Sequence, residues 1–474
     1  MRRGKLNPAR EELRRIVDTK ADDPSSRGIQ RWARRTLAQL TADSGGYRGL
    51  EQAVALVEQN VGSDGRLLPE DVSLLVSMLA GRPEPASWRR AAKLLETLSA
   101  SQPLSAAQRL QLAQLHERAG RWEECRSELL SLVALPNTPP TLYAMLVEKL
   151  IEHGDLASAR SWLTKLRSLS PDAAVTLALE AKLAMAENDR PTAVAAARKL
   201  MPSGPVPLEQ VSQLRDTARL MEDLGFPKAA DKILADFAGR SVDGIVARAE
   251  FLGRQKRPGE ALDLLETAWN RLPLERLLQV SLAVVRGKGD EPPPEMTARL
   301  DQWFKRALRE DPDSVVTSLL LAELRELQGR SEDVESLYRD LLGRKDLAPV
   351  QAAIVANNLA FHLARPETAA EAGKLIDSAI VELGPHPDLL DTRGVVRLAA
   401  GDTRRAIADL EEATLSPSPV KFLHLSLAQA EDKQPLAARR SLERAKKLGL
   451  DRALLTPADR GRLERVEAAL GDKA

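Results

Sequence analysis

The segment GDTRRAIADLEEA, residues 401–413, places Ala406, Leu410 and Ala413 at steps of four and three directly after a Gly-Asp break. Side chains at these spacings are neighbours on one face of an α-helix. Two of the three are alanine, so that face is small as well as apolar. The segment therefore predicts a helix that approaches another helix closely.

The same small and apolar pattern recurs along the whole chain at a nearly constant interval. Four early copies begin 34 residues apart, and the interval from Ala372 to Ala406 is again 34. The thirteen copies begin at Ala9, Ala53, Ala91, Cys125, Ala159, Ala193, Ala230, Ala261, Leu300, Val334, Ala372, Ala406 and Ala438. Because a fixed period of this length is typical of repeat proteins, the sequence predicts stacked units rather than unrelated domains.

A second small residue stands twelve positions before most of these copies, inside another helical pattern. These residues are Ala113, Ala181, Ala218, Ala249, Ala322, Ala360, Gly394 and Ser426. Each unit is therefore predicted to be a pair of helices, called here its first and second helix, each about 20 Å long. A pair that short cannot bury its own apolar stripe, so it has to stack on its neighbours.

The composition fits an all-α chain with a large interior. The 474 residues are 43% apolar and only 3% aromatic, the formal net charge is +1, and helix-forming residues dominate. The single cysteine, Cys125, excludes an internal disulfide and a cysteine-based metal cluster, and it stands where other units have alanine. No run of eighteen apolar residues occurs, so no membrane-spanning helix is predicted.

The sequence shows no motif for catalysis, cofactor binding or metal binding. Its five histidines are scattered without the spacing of metal ligands, and phosphate-binding and hydrolase motifs are absent. Acidic residues alternate with basic ones at helical spacing, which predicts solvated ion pairs within single helices. Examples are Glu11 with Arg15, Glu335 with Arg339 and Glu443 with Lys447. We therefore expect a chain that is no enzyme and needs no cofactor.

The unit LLDTRGVVRLAAGDTRRAIADLEEATLSPSP, residues 389–419, carries small and apolar residues at the spacings of a known repeat consensus. They are Leu390, Gly394, Ala406, Leu410 and Ala413, and Trp88 and Trp122 take the aromatic position of that consensus in two other units. In these features the chain resembles the tetratricopeptide-repeat (TPR) family, bacterial type. The resemblance covers nearly the whole sequence.

The resemblance implies an all-α fold, a right-handed α-solenoid (superhelix) of about twelve to thirteen helix-turn-helix repeats over residues 1–474. A capping helix is expected over residues 456–470. In that helix the residues expected on the polar, exposed side are Arg460, Arg462 and Glu464. Longer turns and a Pro-rich joint predict sub-blocks at 1–201, 207–286 and 296–453.

Members of the family usually bind a partner peptide or protein in a concave groove lined by first helices. The resemblance thus implies a non-catalytic protein-protein interaction scaffold or adaptor. The groove positions, three before and one after each small residue, include Ala144, Glu148, Ala178, Lys182, Arg215, Arg219, Val246, Glu250, Leu319, Glu323, Asn357, Phe361, Asp391 and Val395. We take Lys182, Arg215, Arg219 and Asn357 as the candidate partner-binding residues. The pair Arg215 and Arg219 resembles a carboxylate clamp, so an acidic peptide is the expected ligand.

The N-terminal segment leaves a second function open, because it resembles a second helix without its first helix. The chain is then expected to be the C-terminal portion of a longer protein. In that case it would be a regulatory or sensing arm of a larger enzyme or envelope protein whose other domains lie upstream. A helical enzyme with an acid-lined cavity is disfavoured, because the tryptophans expected to line such a cavity fall on second helices as packing residues. These are Trp88, Trp122, Trp162 and Trp303.

Partner class and location follow from charge and from the N-terminus. The neutral chain, with its interleaved acids and bases, argues against a nucleic-acid partner. No secretory signal is visible, which favours the cytoplasm over the periplasm. Arginine outnumbers lysine, as is typical of proteins from GC-rich bacterial genomes.

Overall fold

The structure, a computed structural model of the chain, describes residues 6–20, 23–43, 46–62, 65–82, 84–200, 211–286, 293–452 and 455–471. Every regular element in these ranges is an α-helix, and there are 26 of them. The predicted all-α fold is confirmed. The Pro-rich joint predicted at 201–210 lies outside the described residues, as does most of the long turn predicted at 286–296.

The first thirteen helices are α1 (Leu6–Asp18), α2 (Pro24–Ala42), α3 (Gly46–Glu58), α4 (Pro69–Ala80), α5 (Pro85–Ser99), α6 (Ala106–Arg118), α7 (Trp122–Val133), α8 (Pro140–Glu152), α9 (Leu156–Leu169), α10 (Ala174–Ala186), α11 (Arg190–Leu200), α12 (Val211–Asp223) and α13 (Pro227–Arg240). The others are α14 (Val242–Arg254), α15 (Pro258–Glu266), α16 (Leu274–Arg286), α17 (Pro294–Glu310), α18 (Val315–Leu327), α19 (Ser331–Leu342), α20 (Pro349–His362), α21 (Ala369–Leu383), α22 (Pro387–Ala399), α23 (Thr403–Ala413), α24 (Pro419–Glu431), α25 (Pro435–Lys447) and α26 (Pro457–Leu470).

From α2 to α25 the helices form twelve successive pairs, in which the even-numbered helix is the first helix and the odd-numbered one the second. In ten of the pairs the two helices pack along each other, most extensively in α20 with α21 and in α24 with α25. First helices also contact the next first helix, as α14 contacts α16, so the pairs stack. Helix α1 precedes the pairs and α26 follows them. The predicted helical-repeat architecture is confirmed.

The turn inside each pair explains the Gly-Asp break of the opening segment. Gly401 adopts the left-handed conformation with φ of +78°, and the Asp402 amide donates to the Arg397 carbonyl at 2.9 Å. This is the usual way in which a glycine ends a helix. Asp402 then caps α23, because its side chain accepts a hydrogen bond from the Arg405 amide.

The same left-handed turn position recurs five residues before the small residue of other second helices. It is occupied by Gly120, Gly154, Asn188, Gly225, Lys256, Gly329, Gly401 and Lys433, all with φ between 58° and 80°. Glycine adopts this conformation without steric cost, and asparagine tolerates it better than most residues. The turn is therefore a repeated element of the fold, even where lysine fills it.

The predicted seam between helices is confirmed from Ala53 onward. Ala406, Leu410 and Ala413 are fully buried, as are the equivalent small residues of the other second helices. At the facing position a Cβ added to Gly394 would come within 2.5 Å of Leu410 Cγ, so glycine permits the close approach. Ala9 is the exception, since it is exposed on α1. No described helix precedes α1 to cover it.

A larger side chain on this seam is expected to destabilise the protein. Replacing Ala406 with leucine should lower the free energy of unfolding by about 1 to 3 kcal/mol, because the added atoms enter a fully packed contact. The control is Ala408→Leu on the exposed side of the same helix. Urea denaturation followed by circular dichroism measures both variants, and equal stability of the two would show that Ala406 does not lie in a tight seam.

The chain divides into two compact units. The first comprises residues 1–125, 335–450 and 457–474, and the second comprises residues 126–334 and 451–456. Within the first unit α3 packs against α21, although these helices are far apart in the sequence. The Tyr47 ring lies against Gly384, where an added Cβ would come within 2.4 Å of Tyr47 Cδ2. Arg89 also pairs with Glu412 at 3.0 Å, so the N-terminal and C-terminal hairpins of this unit touch directly.

Ion pairs within single helices occur as predicted, for example Arg240 with Asp236 and Arg306 with Glu310, but two of the three named examples have other partners. Arg15 pairs with Glu12, Arg339 pairs with Glu371, and Glu335 pairs with Arg365. The last two pairs join neighbouring repeats, because a shift of about one repeat brings equivalent positions side by side. Asp409 on α23 is buried and accepts hydrogen bonds from two arginines of α22. They are Arg393 at 2.8 Å and Arg397 at 2.6 Å.

Candidate partner-binding faces of the first helices

The candidate residues lie on one face of each first helix. We define the first-helix face by the positions six before, three before and one after the buried small residue, which share one side of a helix. On α10 the buried residue is Ala181, and the face consists of Val175, Ala178 and Lys182. The position six before the small residue was not among the predicted groove positions.

The three predicted cationic residues all have acidic neighbours. Lys182 Nζ lies 2.7 Å from Oε1 of Glu148, a groove position of the preceding repeat. Arg215 Nε lies 3.7 Å from Asp216 Oδ1. Two carboxylates approach Arg219, at 3.5 Å from Glu222 and 3.3 Å from Asp223. The side chains of Arg215 and Arg219 remain 66% and 54% exposed, so both are accessible to a partner.

Arg215 and Arg219 share a cleft of about 280 Å³ between α12, α13 and α14. Its lining is Arg215, Asp216, Ala218, Arg219, Glu222, Leu234, Ala247, Glu250 and Arg254. Three arginines thus face three carboxylates, and the cleft as a whole is electrically balanced. Lys182 does not line this cleft, and Asn357 lies in the other unit. The structure therefore brings together only two of the four candidate residues.

Glu222 is the most firmly held carboxylate of this cleft. It accepts hydrogen bonds from Arg254 Nη2 and Gln255 Nε2, each at 2.9 Å. Burial by itself would raise the pKa of Glu222, but the hydrogen bond and charge of Arg254, the amide of Gln255 and the charge of Arg219 outweigh it. The pKa of Glu222 is therefore lowered. This acid stays ionised near neutral pH and holds one side of the cleft in place.

Asn357 stands on the first-helix face of α20, in line with three apolar side chains. Val350, Ile354, Asn357 and Phe361 follow one another at helical spacing along this face. Val350 is 50% and Ile354 40% exposed. The Asn357 amide nitrogen donates to Asn358 Oδ1 at 3.2 Å, while its own Oδ1 is buried and has no hydrogen-bond partner among the described residues. The fourth candidate residue therefore lies on a partly open, mainly apolar stripe.

A buried charged row joins α22, α24 and α26 on the first-helix side. His424 on α24 is 1% exposed and lies between two carboxylates. Its Nδ1 is 3.0 Å from Asp391 on α22, and its Nε2 is 2.9 Å from Asp459 on α26. The three residues are 33 and 35 positions apart, close to the repeat length. The row connects three helices through their side chains.

His424 is an imidazolium in the folded protein. Burial would lower its pKa, but the charge and hydrogen bond of Asp391 and those of Asp459 outweigh burial and raise the pKa to about 9. The pKa of Asp459 is strongly lowered despite burial, because His424 and Arg462 stabilise its charged form. The row therefore carries its full set of charges at neutral pH, and each charge has an opposite neighbour.

The prediction of a polar outer side on the last helix is wrong for Arg462, whereas Arg460 and Glu464 are exposed as predicted. Arg462 is 8% exposed, donates to Asp459 at 2.6 Å, and places its guanidinium 4.9 Å from the centre of the Phe361 ring. Leu463, Val466 and Leu470 are also buried. Helix α26 thus packs on the first-helix side of the last hairpins, and an arginine side chain is long enough to cross from α26 to α20.

Sequence reasoning missed the role of His424, because it treated the five histidines as unrelated. The available signal was its position, one repeat beyond Asp391, which was already a predicted groove residue. Cys125, in contrast, was correctly interpreted, since it is buried at 1% exposure in a seam. Local spacing identifies packing positions well. A row of charged residues on α22, α24 and α26 can be recognised in the sequence only when these helices are aligned with one another.

The described residues contain neither a candidate metal site nor a helix able to span a membrane. In this part of the chain, no group of three or more His, Cys, Asp and Glu residues is arranged to hold a metal ion. None of the described helices has the length and apolar character required to cross a membrane.

The repeat type follows from the recurring geometry of the pairs. A left-handed turn, a buried small residue five positions later and another small residue on the preceding first helix recur along the chain at intervals near 34. This is the arrangement of the consensus that the sequence resembles. The repeats thus resemble the tetratricopeptide type in their geometry.

Comparison with known proteins gives distant structural likenesses to TPR proteins. No protein-family model and no curated protein matches the chain. Yeast Tom70 aligns over 94% of this chain and 96% of its own, with 13% identity and a TM-score of 0.40. Human IFIT1 aligns over 95% and 96%, with 16% identity and a TM-score of 0.31. A tetratricopeptide repeat protein from Parabacteroides merdae aligns over 58% of this chain and 98% of its own, with 16% identity and a TM-score of 0.34.

Proposed function

We propose that this TPR-type chain is a non-catalytic scaffold that binds a partner protein or peptide on its first-helix faces. The observation that carries the proposal is a recurring exposed aliphatic residue. Val175 on α10, Val316 on α18 and Ile354 on α20 each stand six positions before a buried small residue, and they are 47%, 44% and 40% exposed. Three β-branched side chains left open at one repeat position favour a contact surface.

Aspartate at these three positions is expected to release a bound partner. The triple variant Val175→Asp, Val316→Asp and Ile354→Asp should retain less than about one tenth of the partner, since each side chain loses its apolar contact and places a charge in the interface. Quantitative affinity purification from the native organism measures the retained amount. The variant should fold normally, because all three side chains are already exposed.

The second helices supply a matched control. Val381 on α21 and Leu436 on α25 are 48% and 76% exposed, so the variant Val381→Asp with Leu436→Asp changes equally open aliphatic positions away from the first-helix faces. It should retain the partner fully. If both variants lost the same partners, or neither lost any, the first-helix faces would not be the binding surface.

The cleft at Arg215 and Arg219 supports a finer proposal, in which part of the partner is acidic. Both arginines are more than half exposed, and the pair of Arg215 with Asp216 at 3.7 Å is long enough for an incoming carboxylate to compete. Lys182 is also about half exposed beside Glu148, on the neighbouring first helix α10. Acidic side chains of a partner would replace these weak surface pairs with bidentate ones on arginine.

Charge reversal at the cleft tests this acidic contact. Arg215→Glu with Arg219→Glu should reduce partner retention about five-fold, and added salt should weaken wild-type binding in parallel. The control is Arg440→Glu with Arg444→Glu, the same spacing and charge change on the exposed side of second helix α25. If the two double variants retained the partner equally, the cleft would not be part of the binding surface.

A further inference from the structure

The last second helix, α25, carries cations along its outer side. Its opposite side, which includes Leu442, is buried against the neighbouring helices. We define the α25 stripe by four exposed residues at steps of four, four and three, which share one side of a helix and span about 16 Å. They are Leu436, Arg440, Arg444 and Lys447. Lys433, in the turn before the helix, and Lys446, near its end, are exposed as well.

The cations of this region have no acidic partner. Exposed arginines on other second helices are paired, as Arg160 on α9 is with Glu187 at 2.7 Å. Helix α25 has five basic residues and a single acid, Glu443. Within the part of the chain that the structure describes, no ion pair is formed by Lys433, Arg440, Arg444, Lys446 or Lys447. These charges are therefore available to an anionic ligand.

The stripe is specific to α25 and is not a general property of the repeats. Its three cations stand two, six and nine positions after the buried Ala438, and no other described second helix has cations at all three positions. On α21 the equivalent residues are Lys374, Ser378 and Val381. The helix dipole favours cations in the last turn, which includes Arg444, but Arg440 lies one turn earlier. Neither the repeat pattern nor the dipole explains the stripe.

The apolar residue of the stripe indicates the kind of ligand. Leu436 is 76% exposed, more than any other large hydrophobic residue in the described part of the chain. An exposed aliphatic side chain in line with cations fits the surface of an anionic bilayer. There the cations meet phosphate headgroups while the aliphatic group enters the boundary with the acyl chains. Long lysine and arginine side chains reach headgroups at different heights.

Other polyanions fit the stripe less well. Helix α25 has no aromatic side chain on which a base could stack, and Leu436 would face charged phosphates in a nucleic-acid complex. The centres of protein interfaces are depleted in lysine and rich in packed aromatic residues. Three of the five free cations here are lysines, and the only exposed apolar anchor is one leucine. A lipid surface therefore uses every part of the stripe.

We propose that the α25 stripe binds the surface of an anionic lipid bilayer and attaches the last hairpin reversibly to a membrane. Arg440, Arg444 and Lys447 contact phosphate headgroups, and Leu436 enters the boundary with the acyl chains. Helix α25 lies parallel to the surface, and no segment crosses the bilayer. This inference is independent of the proposed scaffold function, which uses the first helices.

Flotation of the purified full-length chain with lipid vesicles tests the proposal. The chain should float with phosphatidylcholine vesicles that contain about 30% phosphatidylglycerol, and at least ten-fold less with phosphatidylcholine alone. Salt at about 0.5 M should weaken binding several-fold. Arg440→Gln with Arg444→Gln and Lys447→Gln should lower the binding constant about 100-fold, because each cation near an anionic surface contributes about five-fold. No flotation of the wild type with the anionic vesicles would overturn the proposal.

A matched control removes three cations from other second helices. Lys165 on α9, Lys199 on α11 and Lys232 on α13 are exposed, so their combined replacement by glutamine makes the same change in net charge. This variant should float like the wild type. If both triple variants lost binding equally, the effect would come from net charge, and the stripe would not be the site.

A fluorescent probe at position 436 tests which side of α25 meets the lipid. Cys125 is first replaced by alanine, the residue of most equivalent positions, and Leu436→Cys is labelled with the environment-sensitive dye NBD. Its emission should rise at least two-fold and shift to the blue with anionic vesicles. Val381→Cys on α21, which is also exposed, should show no change. Equal responses at the two positions, or none at position 436 in floated protein, would contradict the proposed orientation.

Two further results distinguish this site from other ligands and from the scaffold function. Binding of single-stranded RNA that depends on the stripe, without binding of anionic vesicles, would assign the stripe to nucleic acid and overturn the proposal. Partner retention is measured in a detergent extract, which contains no bilayer. Arg440→Glu with Arg444→Glu should therefore lose the vesicles and retain the protein partner. If it kept both, the lipid site would be wrong and the scaffold function would stand.

Discussion

Replacing His424 with leucine is expected to lower the free energy of unfolding of the C-terminal hairpins by about 3 kcal/mol. The substitution leaves Asp391 and Asp459 without the imidazolium between them, at side-chain exposures of 13% and 4%. Removal of one member of a buried charged group is costly because the remaining charges keep the penalty of burial. Hydrogen exchange of α22, α24 and α26 should accelerate first, since the row joins these three helices.

The control for this variant is His153→Gln, which changes an exposed histidine at the end of α8. It should leave hydrogen exchange in α22, α24 and α26 unchanged. His424→Gln is an informative intermediate, because a glutamine amide donates to one carboxylate but carries no charge. If His424→Leu matched the wild type in exchange and in denaturation, the row would not hold α26 in place.

The same row gives a pH dependence whose sign is fixed. The pKa of His424 is about 9 in the folded protein and about 6.5 in the unfolded chain. The stability linked to its charge is therefore fully present below pH 6.5 and is lost as the pH rises through 9. For Asp459 the pKa is lowered on folding, so its contribution is present above its usual pKa of 3.8 and is lost as the pH falls through the lowered value.

Urea denaturation at pH 7 and pH 9.5 checks the alkaline limb. The wild type should lose about 2 kcal/mol between these values from His424 alone. The variant His424→Leu should show a much smaller change, because it has no imidazolium to deprotonate. An equal pH effect in both proteins would assign the loss to other groups.

Replacing Gly244 with alanine is expected to destabilise its hairpin by about 3 kcal/mol. Gly244 stands in the first turn of α14, where a Cβ would lie 2.3 Å from the carbonyl carbon and oxygen of Phe237 on α13. The neighbouring atoms are backbone, so no side-chain rotation relieves the contact. Ser241 ends α13 and also caps α14, which allows only a sharp reversal between the two helices.

The matched control is Gly239→Ala on α13, where an added Cβ meets nothing within 4 Å. The same chemical change should there be neutral or stabilising by up to about 1 kcal/mol, because alanine favours a helix over glycine. Thermal denaturation of the two variants gives the comparison. Equal melting temperatures would show that α13 and α14 do not meet as closely as described.

The fold could be predicted from the sequence because its repeats depend on local spacing. Helical spacing alone predicts the buried face formed by Ala406, Leu410 and Ala413. The Gly401-Asp402 pair predicts the turn before them. The contact of Tyr47 with Gly384 could not be predicted in this way. It joins repeats far apart in the sequence, and neither residue carries a periodic signal of it.

The candidate site could be predicted only in part, for a similar reason. Lys182, Arg215, Arg219 and Asn357 were found by their position on first helices. Which of them meet, and which already have a partner, depends on side chains one repeat away, as with Lys182 and Glu148. The exposure of Val175 and the missing hydrogen bond of the Asn357 oxygen are set by the positions of neighbouring helices. The spacing of residues along the sequence does not give those positions.

Site-specific photocrosslinking in the native organism is the most direct measurement of where a partner binds. A benzophenone amino acid is placed singly at Val175, Val316 and Ile354 on first helices, and at Val381 and Leu436 on second helices. Binding on the first-helix faces predicts discrete protein adducts from the first three positions and none from the last two. Adducts of equal yield from both sets, or from the second-helix positions alone, would contradict a binding role of the first helices.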